Sequence, residues 1–446
     1  MNILKAIIGS VTAALIMLAG AGCCKDNAVN ENRKVLLFYE CGFNNLGACL
    51  ESNMDNQRAG LAGGYIPKWG GDVLLVYSRI PKSYYDSDGR KPKPVESYLR
   101  RIYKSRKGKI ISDTLKTFDS SIMAADPSTM RKVLSFVKEK FPAKGYGMVF
   151  SSHGSGWLPA GYYYAPDKFE RDHKDVTKGS ASRVAPQRMT HRLSVPEGNL
   201  ADTDPFYGMV RSIGQDYIHN KRDKEYDQEM SVSEFAGAIP YHLDYILFDM
   251  CFTAGVEVVY GLKDKVDYLG LSPAEVLADG MFDYTKITSF LIGRTTPDFK
   301  GLFEDSFEMY NKKANSSERS ATVNVIRTDG VDKLASVCKR LVNEYSEAIA
   351  NAPTYDIQGY FRSGRHYFYD LADIFKKCGA SEKDLKDLDD AIDNCVIYKN
   401  ATPRLLGSVD IETYSGFSMY LPCAGTPLLD SYYKKEAWND AVGLVE

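Results

Sequence analysis

Residues 147–157, GMVFSSHGSGW, contain the change of pattern that decides the fold. An apolar run typical of a buried strand ends on His153, which stands among glycines and serines with Trp157 just beyond. A second apolar run, DYILFDM (244–250), leads directly to Cys251. Runs that are apolar on both faces are typical of the central strands of a parallel sheet. The sequence therefore predicts two buried strands that each end next to a chemically reactive side chain.

Helical patterns alternate with these runs. Asp126 and Pro127 begin one helix, and Ser231 forms a capping box with Glu234 at the start of another. Further runs that predict strands lie at 34–40, 72–78 and 267–272. Alternating strands and helices predict an α/β fold with a mostly parallel central sheet covered by helices on both faces.

The N-terminus has the pattern of an export signal. Lys5 precedes an apolar run at 6–18, and small residues lead to Cys23. About 13 apolar residues are too few for a spanning helix, and a basic start before such a run is typical of a signal peptide. Small residues directly before a cysteine are similar to a bacterial lipobox. Residues 1–22 are therefore predicted to be a lipoprotein signal, Cys23 the lipidated residue and 23–33 a tether in a bacterial envelope; a plain secreted protein is the alternative.

The rest of the chain divides into two regions. Residues 34–300 contain the predicted strands and form the α/β domain. Within them, 160–228 is rich in Lys, Arg, Asp and Gly and lacks periodicity, which predicts an irregular loop that is functional or cleavable. Residues 301–446 are mainly helical in pattern, with a late strand candidate at 414–422. We expect this C-terminal region to pack on the domain.

Composition excludes some classes of partner. A net charge of −2 lacks the concentrated basic surface that nucleic acid requires. With Cys23 and Cys251 set aside, seven of nine cysteines remain, and an odd number excludes complete pairing; Cys41 and Cys49 are a candidate pair. The histidines show no metal-ligand spacing and no calcium loop is visible, so no metal or cofactor is predicted.

His153 and Cys251 are the candidate reactive pair. Sites in open parallel sheets form beyond the carboxyl ends of the strands, so the two side chains are expected to meet at one edge. A thiolate that attacks a carbonyl and an imidazolium that protonates the leaving amine carry out cysteine proteolysis. The residues after Cys251 read as a helix, whose N-terminus would favour the thiolate. The N–H groups of Gly154 and Cys251 are candidates for the oxyanion site.

Asp249 lies two residues before Cys251 and hence on the same face of the strand. Its carboxylate can orient His153 as the third member of a triad. It can also form the floor of a pocket for a cationic side chain, or simply cap the following turn. The spacing alone leaves these roles open.

These motifs resemble the clostripain-like cysteine peptidases, which have a caspase-like α/β/α fold. HGSGW (153–157) resembles the histidine motif of the family, and LFDMCFTAGVEVVYGLKDKVDYL (247–269) resembles its Asp-x-Cys nucleophile segment. SPAEVLADGMFDY (272–284) resembles the loop that follows. The likeness extends over nearly the whole mature chain through FYECGFNNL (38–46), YFYDLADIF (367–375) and SGFSMYLP (415–422).

The resemblance implies a role for each matching residue. His153 and Cys251 fall on the catalytic dyad, and Asp249 falls on the acidic residue of the pocket that accepts Arg or Lys before the scissile bond. Asp279 matches a second acidic pocket residue. The serines at 151–152 and the segment MCFTAG (250–255) depart from the commoner family pattern. Neither departure removes a catalytic group, but both lie close enough to alter substrate choice.

The resemblance also implies a precursor, because members of this family are often cut by themselves in a loop after the histidine strand. The region 160–192 offers many basic residues at which such a cut can occur, although a solvated insertion is the simpler explanation of its charge. Some members of the family use calcium, so the resemblance leaves a calcium requirement open, but no calcium site is predicted. The candidate cut sites are Lys168, Arg171, Lys174, Lys178, Arg183, Arg188 and Arg192.

The leading hypothesis is an exported, lipid-anchored cysteine endopeptidase that cleaves peptides after Arg or Lys. The alternative is a non-catalytic surface lipoprotein that uses the caspase-like fold to bind a partner. A third hypothesis is acyl transfer or amidase action on a non-protein substrate. The intact pair of His153 and Cys251 favours an enzyme, because binding alone does not require a thiol and an imidazole at adjoining strand ends.

Overall fold

The computed structural model covers most of the chain beyond the N-terminal segment. The predicted signal peptide, Cys23 and nearly all of the predicted tether lie outside the described residues, as do five candidate cut sites, Lys174, Lys178, Arg183, Arg188 and Arg192. No helix in the described part is long and apolar enough to cross a membrane. The described residues are 32–42, 44, 46, 49–54, 65–80, 96–163, 166–173, 212–217, 227–361 and 366–446.

A nine-stranded sheet runs through the centre of the molecule in the order β12-β10-β9-β8-β5-β1-β2-β3-β4. Its five central strands, from β9 to β2, are parallel, and two antiparallel strands flank them on each side. The strands are β1 (Lys34–Cys41), β2 (Val73–Arg79), β3 (Ser97–Lys104), β4 (Ile110–Phe118), β5 (Gly145–Ser151), β6 (Ile213–Tyr217), β7 (Asp227–Met230), β8 (Leu243–Asp249), β9 (Val266–Leu271), β10 (Thr322–Arg327), β11 (Tyr369–Asp370), β12 (Val396–Ala401), β13 (Arg404–Leu405), β14 (Val409–Asp410) and β15 (Ser418–Met419).

Helices cover both faces of the sheet. One apolar core contains side chains from α1, α3, α4, α7 and α10, and a second core on the opposite face contains side chains from α5 and α6. The helices are α1 (Pro127–Lys140), α2 (Pro166–Asp172), α3 (Val232–Ala238), α4 (Val256–Leu262), α5 (Ile287–Leu291), α6 (Phe299–Asn311), α7 (Val331–Glu344), α8 (Ser346–Ala350), α9 (Leu371–Lys377), α10 (Glu382–Cys395), α11 (Pro427–Tyr433) and α12 (Ala437–Val442). The structure is an α/β/α sandwich, as predicted.

The five apolar runs of the sequence form the parallel centre of the sheet, which confirms those strand predictions. The antiparallel hairpin of β3 and β4 was not predicted, because most side chains of β4 are exposed and its sequence lacks an apolar run. The C-terminal region also contributes two strands, β10 and β12, to the central sheet. The late strand candidate is reduced to β15, which pairs with β11.

Local capping signals in the sequence match the helix starts. The Asp126 carboxylate accepts a hydrogen bond from the N–H of Thr129 at 2.9 Å and begins α1. Ser231 and Glu234 form the predicted capping box of α3. Such caps satisfy N–H groups that the first helical turn leaves free, and they act over only a few residues.

The segment predicted to be an irregular loop, 160–228, contains α2, β6 and the first residues of β7. Strand β6 crosses the carboxyl ends of the central strands. The N–H of Gly214 donates to the carbonyl of His153 at 3.1 Å, and the N–H of Ser155 donates to the carbonyl of Ser212 at 2.8 Å. Part of the segment is therefore ordered against the residues that follow β5.

A buried ion pair fastens β6 to the sheet. The guanidinium of Arg79, at the end of β2, contacts the carboxylate of Asp216, and neither side chain is exposed. The N–H of Ala124 donates to the same carboxylate. Burial raises the pKa of Asp216 to about 7, while Arg79 and the backbone donors lower it. Removal of either partner would leave a buried charge without its ionic partner, so the pair specifies where β6 lies.

The candidate disulfide between Cys41 and Cys49 is not formed, because both residues are free thiols. Cys41 is fully buried, and its thiol donates to the carbonyl of Gln215 on β6 at 3.4 Å. Cys49 is half-buried and lines a cavity described below.

Candidate active site

The ends of β5 and β8 bring His153 and Cys251 to the same edge of the sheet. Ser151 is opposite Asp249 in the parallel register, and the two reactive residues each follow two positions later. A Cβ placed on Gly154 would lie 2.8 Å from the carbonyl oxygen of Cys251. The turns that follow the two strands are therefore in direct contact. We call residues 153–158 the histidine loop and residues 251–255 the cysteine turn.

Glycines make this close approach of the two turns possible. Gly156 has a positive φ of 63°, and a Cβ there would lie 2.6 Å from the carbonyl oxygen of Phe252. Phe252 itself has a φ of 57°, in the left-handed region that side chains other than glycine rarely adopt. Unusual backbone conformations on both sides of one contact are typical of functional sites.

His153 is only 4% exposed, and its loop is held at several points. Besides the bond from Gly214 to its carbonyl, the bridge between Gly154 and Ile213 aligns the loop with β6. The hydrogen bonds of this bridge use the N–H groups of Ser155 and Gly214 and not that of Gly154. This arrangement is compatible with the predicted use of the Gly154 N–H as an oxyanion donor.

The Cys251 thiol is half-buried and hydrogen-bonded to the backbone of Val276. The N–H of Val276 donates to the sulfur at 3.2 Å, and the thiol donates to the carbonyl of Val276 at 3.7 Å. The expectation of a helix N-terminus at the thiol is wrong, because α4 begins only at Val256 with Gly255 as its N-cap. The cysteine turn instead lies alongside the segment that follows β9, because the N–H of Phe252 donates to the carbonyl of Ala274 at 3.0 Å.

Asp249 is 6% exposed, and its carboxylate is bonded to the loop at 272–284, which we call the acidic loop. It accepts hydrogen bonds from the N–H of Met281 at 2.6 Å and from the O–H of Tyr284. Burial raises the pKa of Asp249, while the bonds from Tyr284 and Met281 lower it. Both oxygens of the Asp249 carboxylate are therefore hydrogen-bonded to the acidic loop.

A cavity of about 250 Å³ lies along the acidic loop, and Asp249 contacts its wall through Tyr284 without lining it. Tyr284 lines the cavity, and its O–H donates a hydrogen bond to the Asp249 carboxylate. Gly280 has a φ of 93°, and a Cβ there would lie 2.7 Å from the Asp249 carboxylate, so glycine permits the close approach of the acidic loop. The lining residues are Cys49, Ser52, Asn53, Asp279, Phe282, Asp283, Tyr284, Met309, Tyr310 and Lys313.

The cavity brings in residues that the sequence did not single out. Asp279, predicted as a second acidic pocket residue, does line the cavity. Tyr284 was part of the matched motif SPAEVLADGMFDY, but nothing in the motif indicated its bond to Asp249. Asn53 had no sequence signal, because its neighbours carry no periodic pattern. These residues come from segments far apart in the chain, and only the fold brings them together.

Two of the candidate cut sites, Lys168 and Arg171, lie on helix α2. Lys168 forms an ion pair with Asp172 at 3.6 Å, one helical turn away. Glu170 on the same helix accepts a hydrogen bond from Tyr162 at 3.0 Å. Proteolysis favours exposed loops over helices, so cleavage at either residue would require α2 to unwind.

No group of three metal-ligating side chains occurs within the described ranges.

Comparisons with known proteins identify a matching family and similar folds. The sequence matches the family model described as clostripain family over residues 63–169 and 198–425. The structure is similar to that of an inactive zymogen C11 protease from Parabacteroides distasonis, with 22% identity, a TM-score of 0.67 and coverage of 92% of this chain and 97% of that chain. No curated protein matches the sequence.

Two structures of a secreted C11 cysteine protease from Bacteroides thetaiotaomicron are also similar. The one called iotapain has 20% identity and a TM-score of 0.67, and covers 92% of this chain and 99% of its own. The complex with an irreversible peptide inhibitor has 21% identity and a TM-score of 0.66, with coverage of 92% and 98%. At these identities the likeness establishes a shared fold.

The contact between the two turns predicts the effect of Gly154→Ala. The added methyl group would lie 2.6 Å from the Met250 side chain and 2.8 Å from the Cys251 carbonyl oxygen, so the turns must separate. We expect a loss of about 1–3 kcal/mol in the free energy of unfolding and a changed rate of Cys251 alkylation by iodoacetamide. Gly237→Ala in α3 is the control, because no atom lies within 4 Å of its added methyl group. Equal alkylation rates in all three proteins would contradict the contact.

Proposed function

The chain belongs to the clostripain family of cysteine peptidases, and on that premise we propose that it is an endopeptidase that cleaves after Arg or Lys, with Cys251 as nucleophile and His153 as general base and acid. The observation that carries this proposal is the contact of the histidine loop with the cysteine turn at the ends of β5 and β8. A non-catalytic binding protein would not require these two side chains at adjoining strand ends.

The proposed reaction uses groups at this contact. His153 takes the proton of the Cys251 thiol, and the sulfur attacks the carbonyl carbon of the scissile peptide bond. The N–H groups of Gly154 and Cys251 stabilise the oxyanion. The His153 imidazolium then protonates the leaving amine, and water hydrolyses the acyl-enzyme. The bonds between the thiol and Val276 must break before attack, because the sulfur lone pairs and proton are engaged there.

Basic specificity is proposed to come from Asp249 and Asp279. The buried Asp249 carboxylate is oriented by two hydrogen bonds, and Asp279 lines the adjacent cavity. A guanidinium or ammonium group that enters this cavity would meet the exposed carboxylate of Asp279, while the carboxylate of Asp249 is hydrogen-bonded to Tyr284 of the cavity wall. Attraction to Asp249 is the less screened of the two, because that carboxylate is buried. An oriented acceptor also favours the forked donors of arginine.

Self-cleavage is proposed to occur in the segment after the histidine loop. The position of Lys168 and Arg171 on α2 makes Lys174, Lys178, Arg183, Arg188 and Arg192 the better candidates. The buried pair of Arg79 and Asp216 would keep β6 attached to the sheet after such a cut. A processed protein is then expected to remain a complex of two fragments.

Export with a lipid anchor on Cys23 is proposed from the N-terminal sequence. The chain enters the sheet at Lys34, the amino end of β1. His153 and Cys251 follow the carboxyl ends of the strands parallel to β1, at the opposite edge. An anchored enzyme of this topology would present its site on the side of the sheet away from the attachment point.

We expect Cys251→Ala to abolish hydrolysis of peptide reporters that end in Arg or Lys and to prevent conversion of the precursor into two fragments. Both steps need the sulfur as nucleophile. Intact mass spectrometry of the purified protein beside the variant would measure processing and identify the bond that is cut. Cys423→Ala, which removes another half-buried thiol, should retain both activities. Normal turnover in Cys251→Ala would remove this residue from the mechanism.

Asp249→Asn should reduce the preference for an arginine reporter over its neutral isostere citrulline. Loss of a buried charge partner corresponds to about 2–5 kcal/mol, or at least about 30-fold in kcat/KM. Because burial raises the pKa of Asp249, the wild-type kcat/KM for arginine should also fall as the pH drops through that raised value, where the carboxylate becomes neutral. Unaltered selectivity at all pH values would reject this role.

The lipid anchor predicts the partitioning of the protein expressed in a bacterial host. Wild-type protein should enter the detergent phase of a temperature-induced phase separation, whereas Cys23→Ser should remain in the aqueous phase. Cys24→Ser is the matched control, because it removes the adjacent thiol and should leave the anchor in place. Recovery of the wild type in the aqueous phase would indicate a plain secreted protein.

A further inference from the structure

The C-terminal region is joined to the cysteine turn through backbone contacts. The N–H of Ser418 on β15 donates to the carbonyl of Ala254 at 3.0 Å, and Ser418 forms a bridge with Gly255. These bonds attach a segment more than 160 positions later in the chain to the residues directly after Cys251. Movement of one would therefore displace the other.

A buried carboxylate adds a second connection. Glu257, in the first turn of α4, is 0% exposed. One of its oxygens accepts hydrogen bonds from the N–H of Tyr420 at 3.0 Å and from the O–H of Tyr433 at 2.7 Å. Burial is the main influence on this carboxyl and raises its pKa to about 7. A buried acid is retained here at an energetic penalty, which indicates that its bonds have a specific use.

The same two tyrosines pack against the histidine loop. The ring of Trp157 lies 4.7 Å from the ring of Tyr420 and 4.9 Å from that of Tyr433, measured between centroids. The two tyrosine rings are themselves 4.8 Å apart, so the three rings form a closed cluster. All three side chains are buried. Trp157 lies in the histidine loop, four residues after His153. The packing of the two tyrosine rings against Trp157 therefore supports this loop.

We propose that Glu257 is a positioning residue for the reaction of Cys251 and His153. Its carboxylate holds Tyr420 and Tyr433, and their rings hold Trp157, so that the histidine loop and the cysteine turn are fixed relative to each other from outside the sheet. We call these four residues the Glu257 clamp. The inference rests on the proposed function only for the identity of the reaction, since the contacts themselves join the two turns whatever the substrate.

A support of this kind has a chemical reason. The sheet register fixes where β5 and β8 end, but His153 and Cys251 both lie beyond the last paired residues, Ser151 and Asp249. Displacement of a catalytic group by about 1 Å can reduce a rate about 100-fold. The Glu257 clamp restricts the movement of the two turns, which lie beyond the last residues held by the pairing of β5 with β8.

The test compares three substitutions with a matched control. Tyr433→Phe removes one hydroxyl group and keeps the ring, Glu257→Ala removes the acceptor, and Glu257→Gln keeps an oxygen that can accept both bonds. Tyr345→Phe is the control, because its O–H also donates to a buried carboxylate, that of Asp384, at 2.8 Å in the C-terminal region. Each protein is assayed for thermal stability, for kcat and KM on an arginine reporter, and for the rate of Cys251 alkylation by iodoacetamide across pH.

We expect Tyr433→Phe and Glu257→Ala to lower kcat about threefold to 30-fold with little change in KM, and to shift the pH dependence of Cys251 alkylation. Glu257→Gln should retain most of the wild-type rate. Tyr345→Phe should lose stability without a change in either rate. If Glu257→Ala does not fold, Tyr433→Phe decides the question by itself.

The proposal is overturned if Tyr433→Phe loses stability as Tyr345→Phe does while kcat and alkylation stay at wild-type values. Failure of the proposed function looks different, because the wild type would then not hydrolyse the arginine reporter at all. The alkylation measurements do not depend on a substrate, and they would still report whether the Glu257 clamp sets the environment of Cys251.

Discussion

The parallel pairing of β5 with β8, with Ser151 opposite Asp249, is the constraint on which the remaining geometry depends. Parallel strands in register end at the same edge, so residues that follow them at equal distances emerge side by side. Two glycines then allow the turns to touch, because each lies too close to a carbonyl oxygen of the other turn for any side chain to fit. A shift of one residue in this register would reverse the faces of one strand relative to the other and separate His153 from Cys251.

Near this contact, three buried carboxylates each accept hydrogen bonds from a specific set of donors. Asp249 is bonded to the acidic loop, Asp216 to Arg79 and Glu257 to two tyrosines. Each acid is fully or nearly fully buried, and burial raises the pKa of each. Buried acids do little for stability in general, but they define which segments lie together because an unpaired one is strongly unfavourable. The site is therefore specified by polar contacts within an apolar sandwich.

Much of this architecture could be predicted from the sequence. The five central strands are apolar on both faces, and their composition indicates burial without reference to any partner. Strand β4 could not be predicted in this way because it is mostly exposed, and β10 and β12 could not be predicted because they lie in a region of mainly helical pattern. The helix expected at the thiol begins five residues later, since the cysteine turn first continues beside the acidic loop.

By itself the sequence determined the five central strands, the caps of α1 and α3 and the two strands that end near His153 and Cys251. These features depend on periodicity and on bonds between residues a few positions apart, which a linear pattern records. Only the tertiary structure decided the hydrogen bonds of Asp249, the attachment of Asp216 to Arg79 and the contact of Glu257 with Tyr433. The last two join residues 137 and 176 positions apart. Local pattern carries no information about such partners, because the free energy of each contact exists only once the chain has folded to bring them together.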